Sequence, residues 1–352
     1  MEVIFEPMIK FLYGYVCLVV LCGLWSCAKE ASSVNTFNPE SEAQLIVSDS
    51  VDLSHCGILE SEFVAACDSG LVVNALDGQS LVYVLNSDGQ VSESFGTEGR
   101  GPAEFLEISG LEIWHDRQNV WLGISDARRG QYVKRVLSGS ARPQVVYTED
   151  MDWDAMVRLA NGMFVCAAIA DSSRFYLLDS MARVLGKTDN FPPKPDGIPL
   201  ISHSMACTGV LAAAPDCSMF ASSVVYDGGI DVCEVRKGEI VPLWRFSQFD
   251  MDYDILPEYH NVPAPNQNSR QGYMALSFSD NYLYALYSGH KMLDEDSEMC
   301  DEVHVFDYEG RHCKRYRLDR KIYALTVDRS DNRLVGLTRD ADGNVRLLVF
   351  AL

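Results

Sequence analysis

The sequence predicts an all-β chain: a six-bladed β-propeller, four antiparallel strands per blade, with its last blade closed by an N-terminal strand. Three observations predict it. Strand–turn–strand units recur along the whole chain after residue 62. They sort into six inner pairs but only five complete outer pairs, followed by one more strand, "VRLLVF", from Val345. Finally, one apolar segment, "AQLIV", Ala43 to Val47, stands unassigned near the N-terminus. A ring that borrows this segment for its last blade uses every unit and leaves no free sheet edge.

The first 26 residues read as a signal peptide. From Met8 the chain runs "MIKFLYGYVCLVVLCGLWSC", a lysine followed by an apolar stretch over 11–24 that is too short for a comfortable membrane span. Leu24-Trp25-Ser26-Cys27 resembles the lipobox of bacterial lipoproteins. The resemblance implies cleavage before Cys27, lipidation of its thiol, and anchoring of an exported protein to a lipid bilayer, with the outer membrane of the cell envelope as the expected address. Residues 27–42, rich in Ser, Asn and Glu, then form a lipidated tether, and 43–352 the propeller.

Within that domain each unit alternates or runs apolar over four to six positions, with Gly, Asp, Asn and Ser at the turns. The inner pairs start at "FVAACDSGLVVNA" from Phe63 and end at "IYALTVDRSDNRLVGLT" from Ile322. Outer pairs such as "LVYVLNSDGQVSESF" from Leu81 and "EVHVFDYEGRHCKRYRL" from Glu302 lie between them. With the strands of a blade labelled a to d, the a–b and c–d turns fall on one face and the b–c and d–a connections on the other. All the long connections (96–110, 189–205, 247–272 and 288–301) are of the second kind, so they gather on a single elaborated face.

The stretch from Phe95 to Ile113 resembles the NHL-type propeller repeat through Phe95, Gly96, Gly99, Gly101, Pro102, Glu104 and Phe105. The segments "YLYALYSG" from Tyr282, "EVHVFDYEG" from Glu302 and "YALTVDRSDNRLVGLT" from Tyr323 resemble the TolB-like six-bladed propeller lipoproteins of Bacteroidetes. That likeness implies fold and envelope address; most members have no assigned activity.

The formal charge is −21, from 50 acidic against 29 basic residues, which repels phosphate backbones and excludes nucleic acid as an expected partner. The eight cysteines from Cys56 to Cys313 are scattered and form no CxxC pair, as buried strand residues would. No G-x-S-x-G elbow, P-loop or HExxH helix occurs, and neither a cofactor nor a metal is expected. Glu112, Asn161 and Asp280 of the inner pairs share no common register for metal ligation.

The candidate ligand-binding residues lie on the elaborated face: Arg100, Glu104, Arg128, His203, Tyr259, His260, Arg270 and His290. Their cations, gathered at a channel mouth, would suit an envelope protein or a glycan or anionic ligand. The function expected is a membrane-anchored binding propeller. The alternative is a lactonase-like hydrolase or lyase with its site in the central channel.

Overall fold

The computed structural model describes residues 36–352 except 68–69, 103, 117, 138, 140–141 and 149–150. The signal peptide, Cys27 and the tether up to residue 35 lie outside the described residues. Two N-terminal strands, β1 (Ser41–Leu45) and β2 (Val47–Asp52), precede the blades. Blade 1 comprises β3 (Val64–Cys67), β4 (Gly70–Asn74), β5 (Val82–Asn86) and β6 (Val91–Phe95). Blade 2 comprises β7 (Gly110–His115), β8 (Val120–Asp126), β9 (Gln131–Val136) and β10 (Gln144–Tyr147). Blade 3 follows with β11 (Trp153–Arg158), β12 (Phe164–Ala168), β13 (Phe175–Leu178) and β14 (Val184–Thr188).

A short helix, α1 (Leu200–Ala206), leads into blade 4, built from β15 (Leu211–Ala213), β16 (Met219–Ser223), β17 (Gly229–Arg236) and β18 (Glu239–Ser247). A two-stranded ribbon, β19 (Asp254–Leu256) with β20 (Val262–Ala264), decorates the next connection. Blade 5 is β21 (Tyr273–Phe278), β22 (Tyr282–Tyr287), β23 (Cys300–Asp307) and β24 (His312–Ile322). Blade 6 holds β25 (Ala324–Val327), β26 (Arg333–Arg339) and β27 (Val345–Ala351), and β2 supplies its outermost strand.

The ring therefore closes as the strand count requires, but with a shifted segment. The closing strand is Val47–Asp52, antiparallel to β27 with Val51 opposite Leu347, rather than residues 43–47. Most of the apolar segment chosen from sequence lies in β1, which adds a fifth strand to blade 5, parallel to β24 with Ala43 opposite Tyr316. The N-terminal residues thus strap two neighbouring blades. Ahead of the strap, Phe37 is 1% exposed, inserted between blades 4 and 5 against Phe246 and Phe306. Its carbonyl accepts from Arg315 Nη2 at 2.9 Å.

The core is a set of wedges, one between each pair of neighbouring blades. Leu122, Ile124 and Phe105 pack on Val72 and Val82 between blades 1 and 2. Val335, Leu337 and Leu347 of blade 6 meet Val73 and Leu85 of blade 1 across the closure. Each fully buried Leu, Val or Phe contributes about 1.5–3 kcal/mol relative to exposure, so the ring draws its stability from all six joints. None of the eight cysteines from Cys56 to Cys313 is in a disulfide, and six of them are buried strand or turn residues in these wedges and loops.

The b–c and d–a connections carry the long segments, 96–109, 189–210, 248–272 and 288–299, and the opposite face carries short turns. Among the described residues no helix is long and apolar enough to cross a membrane.

Candidate functional site

The glycine loop is built first by its own residues. Gly99 has φ +157°, and a Cβ there would collide with the Glu104 carboxylate, whose Oε2 accepts from the Gly101 amide. Phe105 turns inward and is 1% exposed, filling the wedge between blades 1 and 2. From blade 2, the Arg129 guanidinium then gathers the carbonyls of Arg100 at 2.9 Å, Gly101 at 2.8 Å and Glu104. Gln131 Nε2 adds a bond to the Glu104 carbonyl at 2.7 Å. The loop is thus pinned to blade 2, and the basic side chain that pins it is occupied by backbone carbonyls.

The central channel divides into two chambers. Val64, Leu111, Val157, Leu211, Leu276 and Leu325, one from the innermost strand of each blade, line both and form an apolar waist between them. On the loop face lies a chamber of about 480 Å³; towards the short turns lies one of about 130 Å³. The larger falls in the range of about 300–1,000 Å³ typical of small-molecule sites.

Four carboxylates line the larger chamber: Glu62, Glu107, Asp154 and Glu112. They come from blades 1 to 3, whereas blades 4 to 6 supply neutral wall such as Thr208, Met274 and Tyr323. Burial raises Glu62, and neighbouring Glu107 raises it further. Burial also raises Asp154, even though its Oδ2 accepts from the Gly209 amide at 3.0 Å.

Glu112 lies deepest, on β7, and lines both chambers. Its Oε1 accepts from the Tyr132 hydroxyl and from the Arg158 amide at 2.8 Å. Burial pushes its carboxyl up to about 7 against both bonds and against the nearby Arg158 charge. Gly123 makes room for the pair, because a Cβ there would collide with the Tyr132 hydroxyl. Arg158 itself turns aside, its Nη1 3.2 Å from Cys217 Sγ and its guanidinium over Trp114. A carboxyl near neutrality in a chamber wall can take or give a proton, or hold a cation.

The residues singled out from sequence sit on the loop face but do not line this chamber. Arg128 comes nearest, in an exposed ion pair of 3.7 Å with Glu107. His203 is fully buried, with Nδ1 2.9 Å from the Tyr253 hydroxyl and Nε2 3.0 Å from the Pro192 carbonyl, and burial lowers its pKa. Tyr259 is exposed at the tip beyond β19, and His260 follows in the left-handed region at φ 61°. Arg270 Nη1 donates to the Gly289 carbonyl at 2.8 Å, beside His290. Arg100 and Glu104 belong to the glycine loop.

The chamber itself is lined by carboxylates, and the candidate cations stand outside its wall. Arg129, His203 and Arg270 hold groups of their own loops, and carboxylates near the start of successive inner strands line the channel. Among the described residues no three His, Cys, Asp or Glu groups converge to hold a metal; Asn161 lies in the turn after β11, and Asp280 pairs with Arg329 at 2.7 Å.

The ring and its divided channel define a six-bladed β-propeller. More narrowly, the model of the TolB-like 6-blade propeller-like family matches residues 63–330, and the chain belongs to that family. No curated protein matches the sequence. Among solved structures it is similar to a Bacteroides fragilis protein inferred to be exported, at 12% identity and a TM-score of 0.54, over 93% of this chain and 98% of that one. It is also similar to the virginiamycin B lyase of Staphylococcus aureus, at 8% identity and a TM-score of 0.48, over 86% of this chain and 98% of that one. A streptogramin B lyase gives 12% identity and a TM-score of 0.47, over 86% of each chain. These are likenesses of fold.

Proposed function

We propose that the chain is an exported propeller lipoprotein, held at a membrane through a lipidated Cys27, that binds its ligand on the long-loop face. The larger chamber of the channel is the centre of that surface. One observation supports this reading above the others: the larger chamber opens on the face to which all the long connections are assigned. Its walls are mostly apolar with a few polar groups, the pattern of a small-molecule site or a socket for a protruding partner residue.

Two measurements test it. Cys27→Ala should move the protein from the membrane to the soluble fraction. A thermal-shift screen should give ligands that are lost in Ala155→Trp, a substitution that fills the chamber wall. Ligands that stabilise both forms equally would place binding elsewhere.

A second reading, a hydrolase or lyase of the channel, draws on Glu112, whose raised carboxyl suits general acid–base work. Turnover of lactones that is abolished in Glu112→Gln would favour it.

A further inference from the structure

We propose that the loop-face chamber is a receptor for an organic cation, with an ammonium group on Glu112 and an apolar body against the waist. This rests on the reading of the chamber as the binding centre and adds the chemistry of what it takes.

The chamber selects by charge. Four of its lining residues are carboxylates and none is Lys, Arg or His. An anion would meet four carboxylates and no cation in the wall. The neighbouring positive charges are Arg128 on Glu107 and Arg339 near Glu62. A cation entering from solvent is drawn inward past Glu62 towards Asp154 and Glu112. The surrounding protein, at −21, adds to that field.

Glu112 supplies the seat. Both of its hydrogen bonds fall on Oε1, so Oε2 is the atom left for a third donor. Burial disfavours its charge, and the Tyr132 and Arg158 donors do not offset the loss of water. A ligand ammonium restores the missing partner and forms a charge-assisted bond. Tyr132 and Arg158 fix the carboxylate beforehand, so little ordering is needed on binding.

The waist decides what kind of cation fits. The waist that Glu112 shares is made by Leu111, Val157 and Leu211 among others, whose side chains offer no oxygen to a metal ion. A hard inorganic cation needs six or more oxygen ligands, and three such groups do not converge among the described residues. An amine carrying a hydrocarbon or aromatic body satisfies both the carboxylate and the apolar floor. Phe63 and Tyr323 on the wall add aromatic surface for such a body.

The test uses three probes of one shape on the full exported chain: 4-phenylbutylamine, 4-phenylbutan-1-ol and 4-phenylbutyrate, titrated calorimetrically at pH 8. The amine should bind about tenfold tighter than the alcohol, and the butyrate weakest. Glu112→Gln should weaken the amine about tenfold and leave the alcohol unchanged. Asp154→Asn, farther out on the wall, should weaken the amine less and serves as a second, independent variant.

Equal binding of amine and alcohol, or an amine affinity untouched by both variants, overturns the cation assignment. The chamber itself still stands in that case if Ala155→Trp abolishes binding of the alcohol. Binding of none of the three at millimolar concentration overturns both readings.

Discussion

The ring of Phe37 lies flat on the imidazole of His304, with centroids 3.8 Å apart and planes 4° apart. Tyr287 stacks on His304 as well, at 4.9 Å, and His312 stacks on Phe37 at 4.7 Å. One aromatic residue ahead of the N-terminal strap is thereby bound into the joint between blades 4 and 5.

Phe37→Ala removes that ring and leaves a cavity. The expected loss is about 3–5 kcal/mol, read from urea denaturation, with Phe37→Leu losing less. A change below about 1 kcal/mol would mean that the strap contributes little beyond its strand pairing.

His304 should make the fold sensitive to acid. Burial lowers its pKa to about 4, against the raising effect of Glu302, whose Oε1 is 2.6 Å from Nε2. The unfolded chain takes up this proton near 6.5 and the native chain near 4, so stability falls as pH drops through that window. The loss is of order 3 kcal/mol at its full extent. His304→Gln should flatten the pH 7 to pH 5 difference in denaturation midpoint, and an unchanged slope would assign it to other groups.

Glu112 works in the opposite sense. Its carboxyl titrates at about 7 in the native chain and 4.5 when unfolded, so stability declines as pH rises between those values. Tyr132, bonded to it, and nearby Cys217 do not titrate in that window, because burial holds Tyr132 well above 10 and raises Cys217 to about 11. Glu62 and Asp154, also raised by burial, are present in wild type and variant alike. Glu112→Gln should therefore be the more stable form at pH 8, by up to about 3 kcal/mol, and no more stable at pH 4.5. Melting curves at the two pH values decide it.

Arg174, 2% exposed, binds Asp231 at 2.7 Å, and Arg245 binds Asp231 at 2.7 Å and also Asp227. Burial pushes Asp231 up, but the two guanidinium groups outweigh it and hold the carboxyl below its ordinary value. Asp231→Ala strands the buried Arg174 guanidinium, while Arg245 keeps Asp227, and should cost about 3–5 kcal/mol. Asp179→Ala, which breaks an exposed pair with Arg183, should cost about 1 kcal/mol or less and is the control.

Arg129→Ala should release the glycine loop without unfolding the ring. Limited proteolysis is expected to cut within 96–109 in the variant while the wild type resists, with both melting cooperatively. Equal resistance would show that Phe105 alone holds the loop.

The blades were legible because a strand buried on both faces must be apolar, as in "LVYVL" or "FVCAA", and its turns must carry Gly, Asn or Asp. The closing strand was misplaced by four residues for the same reason in reverse. Outermost strands are half exposed, so "VSDSVD" carries polar residues and reads as a loop, while "AQLIV" looks more strand-like. Phe37 could not be read at all, because its partners are more than two hundred residues away. At the site, Arg129 and His203 have the composition of a binding face but satisfy backbone and hydroxyl groups of their own loops. Glu62, Glu107 and Asp154 were missed since their orientation depends on blade register. A carboxylate recurring at the start of the first three inner strands was the signal that could have found them.

Ser48 and Val349 lie 301 positions apart and are hydrogen-bonded neighbours in the last blade. A nascent chain cannot complete its circle until Val345–Ala351 has been synthesised and is free to pair. Until then β2 waits as an unpaired ribbon. Its two aspartates and two serines in six residues keep that waiting segment soluble, at the expense of a weaker grip once it docks.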